Sequence, residues 1–407
     1  MQSYLDELKP DVNITSFKQK EYIIQKLRDR FMSYGYQQIQ TPAFEPYDLY
    51  TTVTGTIHPD DMIKVMDPSG RVLVLRPDIT IPITQKVASY VNHQSEELRY
   101  FYVLDVYRTT FNQQHDYEKT QAGIEFFGNE TADSDAEVIA LANQTLLDLK
   151  FKKFTIEIGH AAFFKEILEM VSISKEEKQL LKQFIQAKNI PGLEEFLHHL
   201  EIEESVKELI QEIPFLYGEP LKVIEKAKML SLTKSMVEKL NRIKAIYETL
   251  SSYGYEEHVI LDLGLINHME YYSDVIFQGY IENIGKPILS GGRYDQLANQ
   301  FHSSIPAIGF AFDVDLLVNQ SPKQTDTLLN CTIQYNQSNK EKGIQTAQFL
   351  RKHNYSVTLS NEQQKVKSKY IIMLNKNSYT LSYQKDSYEV KSSNELLKII
   401  QKLEGGN

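Results

Sequence analysis

Strand signals in this chain stop at His160 and resume only at His258, and that gap limits what the chain can fold into. Between them Leu, Ile, Glu and Lys dominate, and KEEKQLLKQFIQA and SMVEKLNRIKAIYETL repeat apolar residues at helical spacing. Before the gap, KVMDPSGRVLVLRPDIT reads as a hairpin turning at Asp67-Pro68-Ser69-Gly70. Residues 99–107 and 120–128 read as apolar strands, and FTIEIGH (154–160) as another. After the gap come HVILDLGL, YYSDVIFQGYI, PILSGG and PAIGFAFDVDLLV. Many neighbouring strands with helices set between them predict an α+β fold on a mostly antiparallel sheet. Residues 1–160 and 256–320 then form one core domain, and 161–255 a helical insertion. Beyond a polar linker, NQSPKQTDT (319–327), residues 321–407 alternate strand and helix and predict a small α/β domain.

Local signals fill in the frame. Residues 16–34 predict an amphipathic helix, with Ser16 and Gln19 as a capping box and Tyr22, Ile23, Leu27 and Phe31 along one face. Residues 34–50 predict a strand interrupted by Pro42, then a loop. IPITQKVASYV, Asp133–Leu149 and 294–301 read as helices. In the tail, CTIQYN, YSVTLS, KYIIMLN and YTLSYQ read as strands, and KEKGIQTAQFLRKHN and NELLKIIQKL as helices.

Composition narrows the function classes. The formal net charge is −10, without the basic footprint that phosphate neutralisation demands, so nucleic-acid binding is not expected. A single cysteine, Cys331, excludes an internal disulfide and any multi-cysteine metal site. His160 and His268 lack metal-ligand spacing, and His198-His199 read as a solvated helix face, so neither metal nor cofactor is expected. No apolar run approaches the ~20 residues of a membrane span, and the start lacks a secretory pattern, so the cytoplasm is expected.

Four collinear segments carry a resemblance. GYQQIQTPAFE with the helix before it resembles motif 1 of the class II aminoacyl-tRNA synthetases of the histidyl type, the motif that builds the family's dimer interface. LRPDIT (75–80) is similar to that family's amino-acid loop. YVLDVYRTT with EKTQAGIEFFG resembles motif 2. MEYYSDVIFQGY, SGGRYDQL and PAIGFAF resemble the histidyl-specific tyrosine pair and motif 3. The resemblance spans roughly 16–320, and 321–407 resembles a degenerate anticodon-binding domain.

The resemblance implies an asymmetric site. Amino-acid activation builds negative charge on a transferred phosphate, so the site must supply fixed cations there. By resemblance Arg108 is the motif 2 arginine and is kept. The family's glutamate two residues on is Thr110 here, the histidyl-specific arginine is Asn267, and the terminal arginine of motif 3 is Leu316, with Asp313 and Asp315 beside it. The expectation is a phosphate site that repels phosphate.

The amino-acid half is kept. The resemblance places Asp78 and Thr80 at the α-amino group of a histidine. It places Glu125 at the imidazole N–H, Gln121 at the amino or carboxylate end, and Arg108 at the carboxylate. Tyr271 and Tyr272 are the ring-contacting pair. Gln121 and Glu125, four apart on a strand, share a face. Strand alternation would put the two tyrosine rings on opposite faces, one of them in the core. Arg293 reads equally as a structural ion-pair partner or a ligand contact. Glycines 291 and 292 read at least half as backbone shapers.

What the resemblance implies, given these losses, is a non-catalytic regulatory subunit. Such members of the family pair with the short catalytic chain of ATP phosphoribosyltransferase, at the first step of histidine biosynthesis. They form hetero-oligomers on synthetase-like dimers, activate the catalytic chain and pass on feedback inhibition by L-histidine. The rivals are a drifted histidyl-tRNA synthetase and a synthetase-like tRNA-binding sensor.

Overall fold

The first helix buries the stripe its sequence advertises. In α1 (Ile14–Ser33), Ile23, Leu27 and Phe31 lose all solvent exposure. The helix already runs at Ile14, so Ser16 lies inside its first turn and does not cap it. Gln19 is buried and donates its amide to Ser321 Oγ at 2.7 Å, a partner about three hundred residues away that local sequence does not announce. The computed structural model describes residues 14–53, 57–90, 97–109, 117–266, 271–321, 329–361 and 368–404. They fall into two compact units, Met1–Pro322 and Lys323–Asn407.

In the first unit, the segment expected as one interrupted strand divides. β1 (Gln37–Gln38) joins the large sheet, while β2 (Phe44–Pro46) joins a small one. Pro42 lies within the break, where a residue without an N–H cannot continue a ladder. A short helix, α2 (Tyr47–Thr51), replaces the expected loop because it buries Leu49 and Tyr50. β3 (Lys64–Met66) and β4 (Val72–Leu75) form the expected hairpin. Its turn is held by Asp67, which accepts from the backbone of Ser69 and Arg71, and by Gly70 at φ +84°.

α3 (Thr80–Tyr90) leads to β5 (Leu98–Tyr107) and β6 (Glu118–Phe127), which pair antiparallel. α4 (Ala132–Asp148), capped by Thr131, and β7 (Phe154–His160) complete the first half. The helical segment then runs as α5 (Ala161–Met170), α6 (Lys175–Gln186), α7 (Ile190–His198) and α8 (Glu204–Glu212). After β8 (Tyr217–Gly218) it continues as α9 (Pro220–Lys228) and α10 (Lys234–Ser252). Leu181, Leu193, Ile210, Met236 and Leu240 centre a core of its own, which also takes Leu261 and Leu263. β8 carries no strand signal, since two residues are too few to show alternation.

β9 (Val259–Asp262), β10 (Val275–Ile281) and β11 (Leu289–Arg293) return to the large sheet. α11 (Asp295–Asn299), β12 (Ala307–Asp313) and α12 (Val314–Gln320) close the unit. The sheet has nine strands in the order β1-β5-β6-β12-β11-β10-β7-β9-β8. All pairs are antiparallel except β1–β5 and β7–β9, as the sequence predicts for a mostly antiparallel α+β sheet.

The second unit holds β13 (Leu329–Tyr335), α13 (Lys340–Lys352), β14 (Val357–Asn361), β15 (Ser368–Leu374), β16 (Tyr379–Tyr383), β17 (Asp386–Val390) and α14 (Ser393–Glu404). Its sheet runs β14-β13-β15-β16-β17. β17 escapes the sequence pattern because only Val390 is fully buried along it. Tyr370 and Tyr379 are core residues, and burial pushes the Cys331 thiol up to about 12.

Candidate ligand-binding site

Two glycines open the centre of the large sheet. Gly309 on β12 lies opposite Glu125 on β6, and a side chain there would collide with the Glu125 carboxyl. Gly123 lies opposite Tyr102 on β5, and a Cβ there would meet the tyrosine oxygen at 2.5 Å. Over these positions is a cavity of about 310 Å³, at the low end for small-molecule sites. Asp78, Thr80, Arg108, Gln121 and Glu125 line it, with Tyr271 and Tyr272. Residues nearly two hundred positions apart in sequence are thus brought to one place.

Glu125 is the most constrained group. It is 2% exposed; Thr80 Oγ1 donates to one oxygen at 2.7 Å, and the Tyr294 hydroxyl donates to the other. Burial pushes its pKa up to about 8, against the pull of those hydroxyls. Near neutral pH this carboxyl is therefore mostly protonated. An imidazole or ammonium donor would settle it as the anion.

Asp78 stands at the start of α3, where its Oδ1 accepts from the Ile81 backbone at 2.8 Å. Burial raises its pKa, and Arg108, with Nη2 at 3.9 Å, lowers it. Arg108 Nε donates to the Pro77 carbonyl at 2.8 Å, and burial lowers the guanidinium's own pKa. Arg76, next in the RPD sequence, faces away. It donates to the carbonyls of Thr41, Pro42 and Asp105 at 2.8–2.9 Å, and so fixes the loop that presents Asp78. Behind the loop, Tyr50 donates to Glu45, which burial raises to about 7.

One half of the expectation for the tyrosine pair holds, since Tyr271 is a buried core residue with Tyr272 packed beside that core; the opposite faces do not. Both rings face the cavity, with centroids 4.8 Å apart, because β10 begins only at Val275 and strand alternation does not govern residues 271 and 272. Tyr102 and Tyr294 also line the cavity and were not anticipated. Tyr294 lies inside GGRYDQL, where the adjoining glycines and arginine drew the attention. Tyr102 lies opposite Gly123 across β5 and β6, a register that no local sequence signal gives.

The phosphate half differs from expectation as well. Thr110 and Asn267 lie outside the described residues. Leu316, on α12, packs against the large-sheet core and does not line the cavity. Asp313 does line it, but caps α12 and lies 3.0 Å from Lys119 Nζ. Asp315 takes Lys20 Nζ at 2.9 Å and the Thr120 backbone at 2.8 Å. These acids are matched by lysines, so the expected repulsion is weaker than unpaired carboxylates would give. The deficit is one of cations, since among the described residues Arg108 is the one cation lining the cavity. Arg293, left open between two roles, is an ion-pair partner, 1% exposed against Asp135 and Asp295.

A large, mostly antiparallel sheet flanked by helices in this order is the fold of class II synthetases of the histidyl type. The histidyl-tRNA synthetase family model matches residues 9–317. The crystal structure of histidyl-tRNA synthetase from Nostoc covers 97% of both chains at TM-score 0.79 and 17% identity, which speaks for the fold alone. The ATP phosphoribosyltransferase regulatory subunit of Oceanobacillus iheyensis is 43% identical over 90% of this chain and 91% of its own. That of Clostridium kluyveri is 35% identical over 86% and 90%. A crystal structure described as an ATP phosphoribosyltransferase regulatory subunit/histidyl-tRNA synthetase, from Bacillus halodurans, superposes at TM-score 0.77 with 32% identity, over 86% of this chain and 90% of that one. The chain belongs to the histidyl-tRNA synthetase-like family of ATP phosphoribosyltransferase regulatory subunits. Among the described residues, no helix is long and apolar enough to cross a membrane, and no group of acidic, histidine or cysteine side chains could hold a metal ion.

Proposed function

We propose that this chain is a non-catalytic regulatory subunit of ATP phosphoribosyltransferase, acting at the first step of histidine biosynthesis. It binds the short catalytic chain, activates it and conveys feedback inhibition by L-histidine. The observation that carries this is the cavity itself. It offers a free histidine an acceptor for the ammonium in Asp78, an acceptor for the ring in Glu125 and a cation for the carboxylate in Arg108. Among the described residues Arg108 is the one cation lining the cavity, beside Asp78 and an Asp313 already paired with Lys119, so a triphosphate finds little positive charge to hold it.

A dimer of this chain is the second element of the proposal. One face of the small sheet β2-β4-β3 carries Phe44, Pro46, Val65, Leu73 and Leu75, all at least partly exposed, with Phe44 at 55%. A contiguous apolar face of this kind favours a protein partner over solvent. The motif 1 resemblance falls on the same strand, which favours a second copy. We read residues 161–255 as an insertion in the core domain and 321–407 as a degenerate anticodon-binding domain.

The test is reconstitution. Adding the purified chain to the short catalytic subunit is expected to form a stable complex, raise its turnover and make it sensitive to L-histidine. No complex and unchanged turnover would refute the proposal.

A further inference from the structure

A chain of five ionisable groups lies outside the cavity, and none of the proposed ligand contacts uses it. Arg293 donates from Nε to Asp135 Oδ1 at 2.9 Å and from Nη2 to the Asn129 carbonyl at 3.0 Å. Asp135, wholly buried, takes a second guanidinium, Arg242 Nη2, at 2.6 Å. Arg242 belongs to α10. Its Nε lies 3.0 Å from Asp274 Oδ2, and the other oxygen of Asp274 lies 2.9 Å from His160 Nε2. Burial alone would raise Asp274, yet His160, Arg242 and Arg293 hold it down to about 2.

The sequence positions of these groups give the network its meaning. Asp274 lies two residues after Tyr272, and Arg293 immediately precedes Tyr294, which donates to Glu125. The two segments are tied to each other: the Ser273 backbone donates to the Arg293 carbonyl at 2.8 Å, and the Asp295 backbone to Ser273 Oγ at 3.1 Å. The Tyr271–Tyr272 wall and the Tyr294 wall of the cavity therefore each carry, one or two residues along the chain, an ion of the network. Arg242 is the member that comes from the helical segment, and that segment contributes no residue to the cavity lining.

We infer that Arg242 is a positioning residue for the cavity: by pairing with Asp274 and Asp135 together, it fixes the Tyr271–Tyr272 wall, so that ligand affinity depends on a helix that touches no ligand. Removing it leaves the buried Asp135 and the part-buried Asp274 close together with one cation fewer, an arrangement that drives the segments carrying them apart. The affinity arm rests on the histidine reading given above; the effect on the wall does not.

The experiment uses the full chain and the variants Arg242→Met, Arg242→Lys and, as a control, Arg30→Met, which removes a distant pair with Asp148. Hydrogen–deuterium exchange is followed without ligand, and L-histidine is titrated calorimetrically. Arg242→Met is expected to speed exchange in 271–274 and 293–295 while the second unit stays as it was. Its Kd for L-histidine is expected to rise about tenfold, the scale of coupling through shared partners. Arg242→Lys, which keeps a cation, should recover part of both effects, and Arg30→Met should show neither. Unchanged exchange in those segments, or acceleration spread evenly over both units, overturns the inference. Faster exchange with unchanged histidine affinity overturns its affinity half. If the unmodified chain binds no histidine, the proposed function fails, and the exchange arm still decides the role of Arg242.

Discussion

The two halves of the cavity treat their charges differently. On the amino-acid side, Glu125 and Asp78 are buried, aimed inward, and held by hydroxyls and backbone donors that a ligand need not displace. On the side toward α12, the acids Asp313 and Asp315 are taken up by Lys119 and Lys20 and by backbone amides of the same wall. The first arrangement is preorganised to accept donors such as an ammonium or a ring N–H, which is what tight binding of a small ligand requires. The second is finished without one. The two sides of one cavity thus differ in how much of their charge is already satisfied from within the chain.

The sharpest way to break this contrast is at Glu125. Glu125→Ala removes the anion and leaves Thr80 and Tyr294 without their acceptor. L-histidine affinity should fall by roughly a hundredfold or more, the scale of losing a buried hydrogen-bonded charge partner. A loss under threefold in calorimetry would mean that histidine binds elsewhere. Next in size is Gly309→Ala, whose methyl group has no room beside the Glu125 carboxyl. It should weaken histidine binding by about tenfold and lower Tm by several degrees, as overpacking does.

A smaller effect concerns pH. Burial raises Glu125 from its ordinary 4.5 to about 8, so the ligand-free folded chain holds a proton that the unfolded chain releases. Between those values the native state binds more protons, and stability must fall as pH rises through them. Glu125→Gln, which cannot titrate, should flatten this part of the Tm-against-pH curve. An identical slope in both proteins would place the carboxyl in a more solvated setting. Smallest of all is Leu316→Arg. Because Leu316 packs on the sheet core, the arginine should cost a degree or two of Tm and restore no MgATP binding. A measurable gain in ATP affinity would mean that the phosphate half is repairable by one charge.

Most of the architecture was legible because it is written in periodicity. β7 was expected at 154–160 and is found there, and the strand gap between residues 160 and 258 holds apart from the two residues of β8. What escaped was written in neighbours. The Gln19–Ser321 bond spans nearly the whole first unit. The lysines that match Asp313 and Asp315 sit near residues 20 and 119. Tyr102 reaches the cavity across from Gly123, where any side chain would meet its hydroxyl, and Tyr294 reaches it to donate to Glu125 on a distant strand. For the candidate site, motif resemblance named the residues that the fold brings together. It did not supply the face of Tyr271 and Tyr272, which depends on where β10 starts.

Calorimetric titration of the full chain with L-histidine, and separately with MgATP, sets the two sides of the cavity against each other. One L-histidine is expected to bind saturably per chain, with no heat of binding for MgATP at millimolar concentration. Saturable MgATP binding without any for L-histidine would mean that the cavity is not asymmetric in this way.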